Sequence, residues 1–232
     1  MTDLHTHILC GVDDGAKTPE ESLLLLQMER QSGVDTVVLT PHFYRDLMTP
    51  EEFLSRREAA YDTLRSFLDA VQEPLPRMLL GAEVAWRPNM AEWDGLERFC
   101  IQRTRNMLLE LPFGKWDVEL CNQLHDLMNH TGITPILAHL ERYLGTQDKM
   151  QVKEILSLGV PVQISSTPLL HFFSRGGSLK ALKKSWAHVV ASDCHDPVNR
   201  RPDLGEAMQV ISKKLGENQA KRVEAFADGL CE

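Results

Sequence analysis

Seven short runs rich in apolar and β-branched residues recur along the chain, and longer stretches with helical patterning lie between them. That alternation is the signature of parallel strands joined by crossover helices. The strand candidates are Thr2–Leu9, Thr36–His42, Met78–Val84, Asn106–Leu111, Thr134–Leu140, Pro161–Ser166 and His188–Asp193. Several are nearly continuous apolar runs, as for strands covered on both faces.

The intervening helices have readable ends. Thr18-Pro19-Glu20-Glu21 offers a capping hydroxyl, proline at the first helical position and glutamate at the third, and Gly33 closes the segment. Thr49-Pro50-Glu51-Glu52 repeats the signal before a long helix reaching about Val71. Further helices are expected over Asp117–Asn129, Asp148–Leu158, Leu179–Lys184, Asp203–Leu215 and Gln219–Ala227, with a short one around Met90–Phe99 in the least regular stretch. At 232 residues, without repeats or a convincing linker, the expectation is one domain, residues 1–232, folded as an α/β barrel.

A net charge of −8 without a basic run disfavours general binding to nucleic acid or anionic membranes. No apolar run approaches the roughly 18 residues of a membrane span, and MTDLHTH does not resemble a signal peptide, so a cytoplasmic location is expected. The five cysteines are scattered, with no CxxC pair. They read as small hydrophobes in a reducing compartment rather than a disulfide framework or zinc ribbon.

The polar residues at the C-terminal ends of the strand candidates carry the functional signal. They are His5 and His7, then His42, Glu83, Glu110, His139, and Asp193 with His195. In a parallel barrel all strand C-termini open onto one rim, so residues far apart in sequence converge there. Side chains two apart share a strand face, which lets His5 and His7 reach one cation. In the loop GVDDG, a turn could return Asp13 or Asp14 to the same rim. Each piece alone has a bland reading, such as a satisfied histidine or a surface ion pair. Glu110 inside MLLELPF and His139 inside ILAHLERY are harder to dismiss, since an unpaired carboxylate in apolar surroundings is costly.

Imidazoles and carboxylates without a clear thiolate select Mn, Fe or Zn, and this set can hold two or three ions. Such clusters suit in-line displacement at phosphorus, so hydrolysis of a phosphate monoester is the leading expectation. Arg142, three residues past His139, and Arg201, eight past Asp193, are placed to grip phosphate oxygens. Arg45, Arg87 and Arg200 are weaker candidates.

In order, DLHTHILCGVDDGAK, TPH, GAE, LLELP, LAHLERY, QISS and ASDCHDPVNRRP resemble the polymerase-and-histidinol-phosphatase (PHP) superfamily. Within it the chain is most similar to the bacterial metal-dependent protein-tyrosine phosphatases of the CpsB/YwqE type, from Asp3 to about Pro202. The resemblance implies a distorted (β/α)7 barrel with three metal ions, commonly manganese or iron. It implies His5, His7, Glu83 and Asp193 around a first ion, Glu83 bridging to a second held by Glu110 and His139, and Asp14, His42 and His195 around a third. It also implies phosphate binding by Arg142 and Arg201, although the family's frequent RPP reads RRPD here and leaves Arg200 as the alternative. The implied substrate is phosphotyrosine in the C-terminal tail of a bacterial tyrosine kinase governing capsule or exopolysaccharide synthesis. The expected mechanism is in-line attack by metal-bound hydroxide, with no covalent enzyme intermediate and no assigned general acid.

Three rivals accompany that reading. CHDPVNR places Cys194 and Arg200 at the Cys-x5-Arg spacing of thiolate-dependent phosphatases, though without a glycine to shape a phosphate cradle. A PHP-type histidinol-phosphate or other small-molecule phosphatase keeps the metals and changes the substrate. A non-catalytic phosphotyrosine-binding scaffold keeps the site and loses the chemistry.

Overall fold

The computed structural model describes all 232 residues, Met1–Glu232. In chain order the elements are β1 (Thr2–Thr6), α1 (Pro19–Gln31), β2 (Thr36–Leu39), β3 (His42–Phe43), α2 (Pro50–Leu68), β4 (Arg77–Leu80), β5 (Glu83–Ala85), β6 (Asn106–Glu110), α3 (Val118–Thr131), β7 (Thr134–Leu137), α4 (Lys149–Leu156), β8 (Gln163–Ser165), α5 (Thr167–Leu170), α6 (Phe172–Lys183), β9 (Val189–Ala191), α7 (Leu204–Leu215) and α8 (Glu217–Gly229).

All strand pairings are parallel, and together they run around a ring. β1 pairs β2 and β2 pairs β4, while β3, β5, β6 and β7 pair in succession and β8 pairs β9. Single bridges, Leu137 to Val162 and Thr6 to Cys194, close the remaining gaps. This is a distorted seven-stranded (β/α) barrel in which two of the expected strands are each broken in two. The breaks lie side by side, at Thr40-Pro41 and Gly81-Ala82. Proline has no N–H to continue the ladder. A Cβ on Gly81 would stand 3.1 Å from the Val38 side chain, tighter than ordinary contact, so glycine eases the close approach of the strands there. Pairing resumes beyond, where the Glu83 N–H donates to the Pro41 carbonyl at 3.1 Å.

The helix starts follow the capping chemistry. Thr18 accepts from the Glu21 N–H, Thr49 and Glu52 form a reciprocal capping box, and Asp117 and Asp148 cap α3 and α4. The 90–99 stretch forms two 3₁₀ turns rather than an α-helix, Met90–Glu92 and Leu96–Phe99, each entered through a left-handed residue, Asn89 and Gly95. One boundary departs further from expectation. α6 begins at Phe172, seven residues before the anticipated Leu179, because Gly176-Gly177 reads as a helix breaker yet is tolerated inside the helix.

Leu4, Val38, Leu79, Leu108, Ile136, Val189 and Ala191 form one apolar cluster drawn from six strands, joined by Ala227 and Cys231. At the end where the strands begin, the Asn106 side chain donates to the Leu230 carbonyl at 2.8 Å and ties down the chain after α8. The opposite end, where the strands finish, is left to polar side chains. All five cysteines are buried and unpaired, and no helix is long and apolar enough to cross a membrane.

Candidate metal centre

The register of β1 explains how two histidines come to face the barrel mouth. Asp3 pairs with Val37 and Thr6 with Leu39, so Leu4 and His5 together stand opposite Val38. This bulge shifts the phase of the strand: Leu4 packs in the apolar cluster, and His5 and His7 also turn toward the mouth. Two other strand ends use strained backbone for the same purpose. His139 and Asp193 have φ of +37° and +56°, a left-handed conformation that non-glycine residues adopt at a cost.

The structure brings all nine expected ligand residues together. His5, His7 and Asp193 form one group, Glu83, Glu110 and His139 a second, and His7, Asp14, His42 and His195 a third. His5 Nε2 lies 3.3 Å from Glu83 Oε2 and 3.4 Å from Asp193 Oδ1. His139 Nε2 lies 2.9 Å from Glu83 Oε1 and 3.3 Å from Glu110 Oε1. Glu83 Oε2 also meets His42 Nδ1 at 2.7 Å, so its two oxygens face different groups. The Asp14 carboxylate stands 3.5 Å from His42 Nε2 and 3.4 Å from His195 Nε2.

The arrangement of lone pairs is what a cation requires. His7 Nδ1 faces Asp13 Oδ2 at 2.7 Å, His195 Nδ1 faces the Asp193 carbonyl at 3.0 Å, and His5 Nδ1 faces Gln163 Oε1 at 3.4 Å. Each Nδ1 therefore carries the proton, which leaves Nε2 as a bare acceptor aimed into the cluster. His195 Nε2 is buried without a hydrogen-bond partner, and Glu83 Oε2 is buried among imidazole nitrogens. Convergent buried acceptors without donors are unfavourable unless a positive charge joins them, so the residues present fit divalent ions.

The electrostatics agree. Burial would raise the pKa of Glu83, but His5, His139 and His42 outweigh it and hold the carboxyl well below the usual range. Asp193 is likewise held down against burial by His5 and His7. Burial would lower His139, yet Glu110 and Glu83 lift it to about 9. His195 falls to about 4 through burial, with His7 and Arg200 adding to the shift.

Several supporting contacts around these ligands were not specified by sequence. Asp13 and Asp14 divide the work: Asp14 joins the third group, while Asp13 orients His7 and accepts the N–H groups of Gly15 at 2.9 Å and His42 at 2.9 Å. Gly15 is obligatory in this loop, since a Cβ there would sit 2.0 Å from the His7 carbonyl oxygen. Gln163 on β8 also accepts from the His139 N–H at 2.7 Å and so positions two histidines at once. A glutamine within a buried strand was the available signal. Tyr44 places its hydroxyl 3.3 Å from His42 Nδ1.

The arginines separate by geometry. Arg142 and Arg200 each reach Asp193, at 2.5 and 2.9 Å, with 37% and 41% of their side chains exposed at the mouth. Arg201, the expected phosphate ligand, instead pairs with Glu206 on α7 at 2.8 Å and lines a separate cavity beside Ser32. Arg87 pairs with Asp46, and Arg45 lies over the Trp93 ring at 4.2 Å. The thiolate alternative meets an obstacle: Cys194 is fully buried, and burial together with Glu29 and Asp3 pushes its thiol well up.

Comparison with known proteins gives a consistent result. Residues 1–227 match the family model described as capsular polysaccharide synthesis, CpsB/CapC. The chain is 32% identical to the tyrosine-protein phosphatase CpsB of Streptococcus pneumoniae, covering 98% of this chain and 96% of that protein. It is 28% identical to the tyrosine-protein phosphatase YwqE of Bacillus subtilis, covering 93% and 85%. A solved structure from work on YwqE and CpsB, described as unique metal-dependent tyrosine phosphatases, superposes with a TM-score of 0.87 at 25% identity over 100% of this chain and 94% of that one.

Proposed function

The chain belongs to the CpsB/CapC capsular polysaccharide synthesis family, and on that footing we propose that it is a metal-dependent protein-tyrosine phosphatase. The observation that carries the reading is the convergence of nine imidazole and carboxylate side chains at one barrel mouth, with two arginines beside them. We assign His5, His7 and Asp193, with Glu83, to one ion, Glu83, Glu110 and His139 to a second, and His7, Asp14, His42 and His195 to a third region. His7 lies within reach of two of these groups. Manganese suits the donor set best, with iron or zinc as substitutes.

Bound divalent ions supply concentrated positive charge and lower the pKa of water at the mouth. The chain's own residues do the rest. Glu83 and Asp193 stay ionised across the working pH range and balance that charge. Arg142 and Arg200 swing from Asp193 to the equatorial phosphoryl oxygens, where charge is stabilised as the ester bond opens. Burial, with Glu110 and Glu83 nearby, keeps the Tyr44 hydroxyl protonated, so at the mouth it acts as a hydrogen-bond donor rather than a base. A phenolate leaves readily, so no strong general acid is required.

The substrate is phosphotyrosine on a protein, and the tail of a bacterial tyrosine kinase acting in capsule or exopolysaccharide synthesis is the partner we favour. We read residues 1–232 as one catalytic unit in the cytoplasm. Steady-state kinetics on a phosphotyrosyl peptide and on histidinol phosphate test the substrate class. A higher kcat/KM on the peptide is expected, and a clear preference for histidinol phosphate would replace this assignment.

A further inference from the structure

The interior of α6 holds Gly176 and Gly177, yet nothing in the fold asks for glycine at either position. Neither has a positive φ, and a Cβ added to either meets no atom within 4 Å. Glycine inside a helix costs stability relative to alanine, so an internal reason is lacking. Gly177 lines the space between α4 and α6, where a cavity of about 570 Å³ opens to solvent. Its apolar wall comes from Val152, Leu156 and Trp186. Its charged edge comes from Lys149, Lys153 and Lys180, and no acidic residue lines it. Lys180 and Lys184 both lie over the Trp186 ring, at 5.7 and 5.1 Å.

The helix continues this surface to its first turn. Phe173, Gly177, Lys180 and Lys184 fall three or four residues apart and so share one face. Phe172 and Phe173, at its first turn, are 81% and 98% exposed. The groove's other wall begins at Leu144, two residues past Arg142. In a chain of net charge −8, three ammonium groups beside an apolar wall select an occupant that is acidic and carries apolar side chains. A glycine floor lets its backbone come close.

We infer that the α4–α6 groove binds an acidic, apolar-containing peptide segment of the phosphoprotein substrate, flanking the phosphotyrosine. The inference rests on the phosphatase reading for the source of the peptide, not for the chemistry of the groove. The segment lies along Gly177, sets its carboxylates against Lys149, Lys153 and Lys180, and packs its apolar residues on Val152, Leu156 and Trp186.

The test uses the full chain loaded with Mn and a labelled, unphosphorylated peptide alternating Glu with Phe and Leu. A control peptide has Gln for Glu. Fluorescence anisotropy is expected to show binding of the acidic peptide that weakens as salt rises, and weaker binding of the control. Gly177→Leu fills the groove while favouring the helix, and Lys153→Glu with Lys180→Glu reverses its charge. Each should weaken binding about tenfold or more, with the thermal midpoint of Gly177→Leu undiminished and kcat on p-nitrophenyl phosphate unchanged. With phosphotyrosyl peptides, the acidic flank should lower KM for the wild type and not for Gly177→Leu. Equal affinity for both peptides, or unchanged binding by Gly177→Leu, overturns the inference. So does a dimer that Gly177→Leu dissociates, since the occupant is then a second copy of the chain. Absence of turnover on every phosphate ester would defeat the proposed function while leaving the peptide measurement decisive for the groove.

Discussion

The Nε2 atoms of His5 and His7 stand 3.1 Å apart inside the barrel mouth, and both side chains are fully buried. Two acceptors at hydrogen-bond distance repel unless a proton or a metal ion lies between them. The bulge that pairs both Leu4 and His5 with Val38 creates this geometry, and the Asp13 contact to His7 Nδ1 fixes its tautomer.

Asp13 is therefore expected to tune metal affinity without touching an ion. Asp13→Asn keeps the shape and weakens the acceptor that orients His7, and loss of such a partner typically costs about 10–100-fold in affinity. Titrating Mn into the variant and following activity should show that shift, with kcat largely recovered at saturating metal. An unchanged midpoint would mean His7 needs no such support.

Arg200 and Arg201 make a paired test of geometry. Arg200→Ala should lower kcat/KM on a phosphotyrosyl peptide by about tenfold or more, since it removes a charged partner of the phosphoryl oxygens. Arg201→Ala should stay near wild type, because its guanidinium is committed to Glu206. The reverse ranking would restore Arg201 as the phosphate ligand.

Cys194→Ser should retain most activity, while chelation of the wild type abolishes it. The thiol is fully buried behind the mouth, 3.6 Å from Glu29 Oε1. Iodoacetamide should leave it unmodified in the folded protein at pH 8, where a reactive thiolate would be alkylated.

Glu29 predicts a pH dependence of stability. It is fully buried, and burial followed by the neighbouring Asp3 carboxyl raises its pKa well above the ordinary value. Asp3 keeps the charge better, because it accepts the Ser192 N–H at 3.1 Å and the His5 N–H at 3.3 Å. Folding thus takes up a proton at Glu29. The associated stability is complete below the unfolded pKa of about 4.3 and declines as pH rises toward the folded value, by up to about 1.4 kcal/mol per unit. Glu29→Gln removes that decline, so its urea midpoint should gain on the wild type between pH 5 and pH 9. Parallel curves would show that Glu29 is ionised in the native state.

Much of this site could be read before any coordinates. Polar residues such as Glu110 and His139, set at the ends of apolar runs, cannot be buried alone, and the barrel topology sends every strand end to one rim. What escaped sequence depends on local geometry. The residues alone left open which carboxylate of GVDDG turns inward, and only the family resemblance pointed to Asp14; the loop that places it depends on the close approach of Gly15 to the His7 carbonyl. The choice between Arg200 and Arg201 is decided by where α7 offers Glu206. Gln163 looked like one polar residue in a strand, and its two histidine contacts come from residues 24 and 158 positions away. The strand breaks at Pro41 and Gly81 show only when the two segments lie side by side, and α6 overrides its glycines through tertiary packing of Ser178, Ala181 and Leu182.

Elemental analysis of the purified protein after incubation with excess Mn, paired with a phosphotyrosyl-peptide assay before and after chelation, bears most directly on the central claim. Two or three transition-metal ions per chain are expected, with loss of turnover on chelation and recovery when Mn is returned. Fewer than two ions per chain together with chelator-insensitive turnover would contradict that claim.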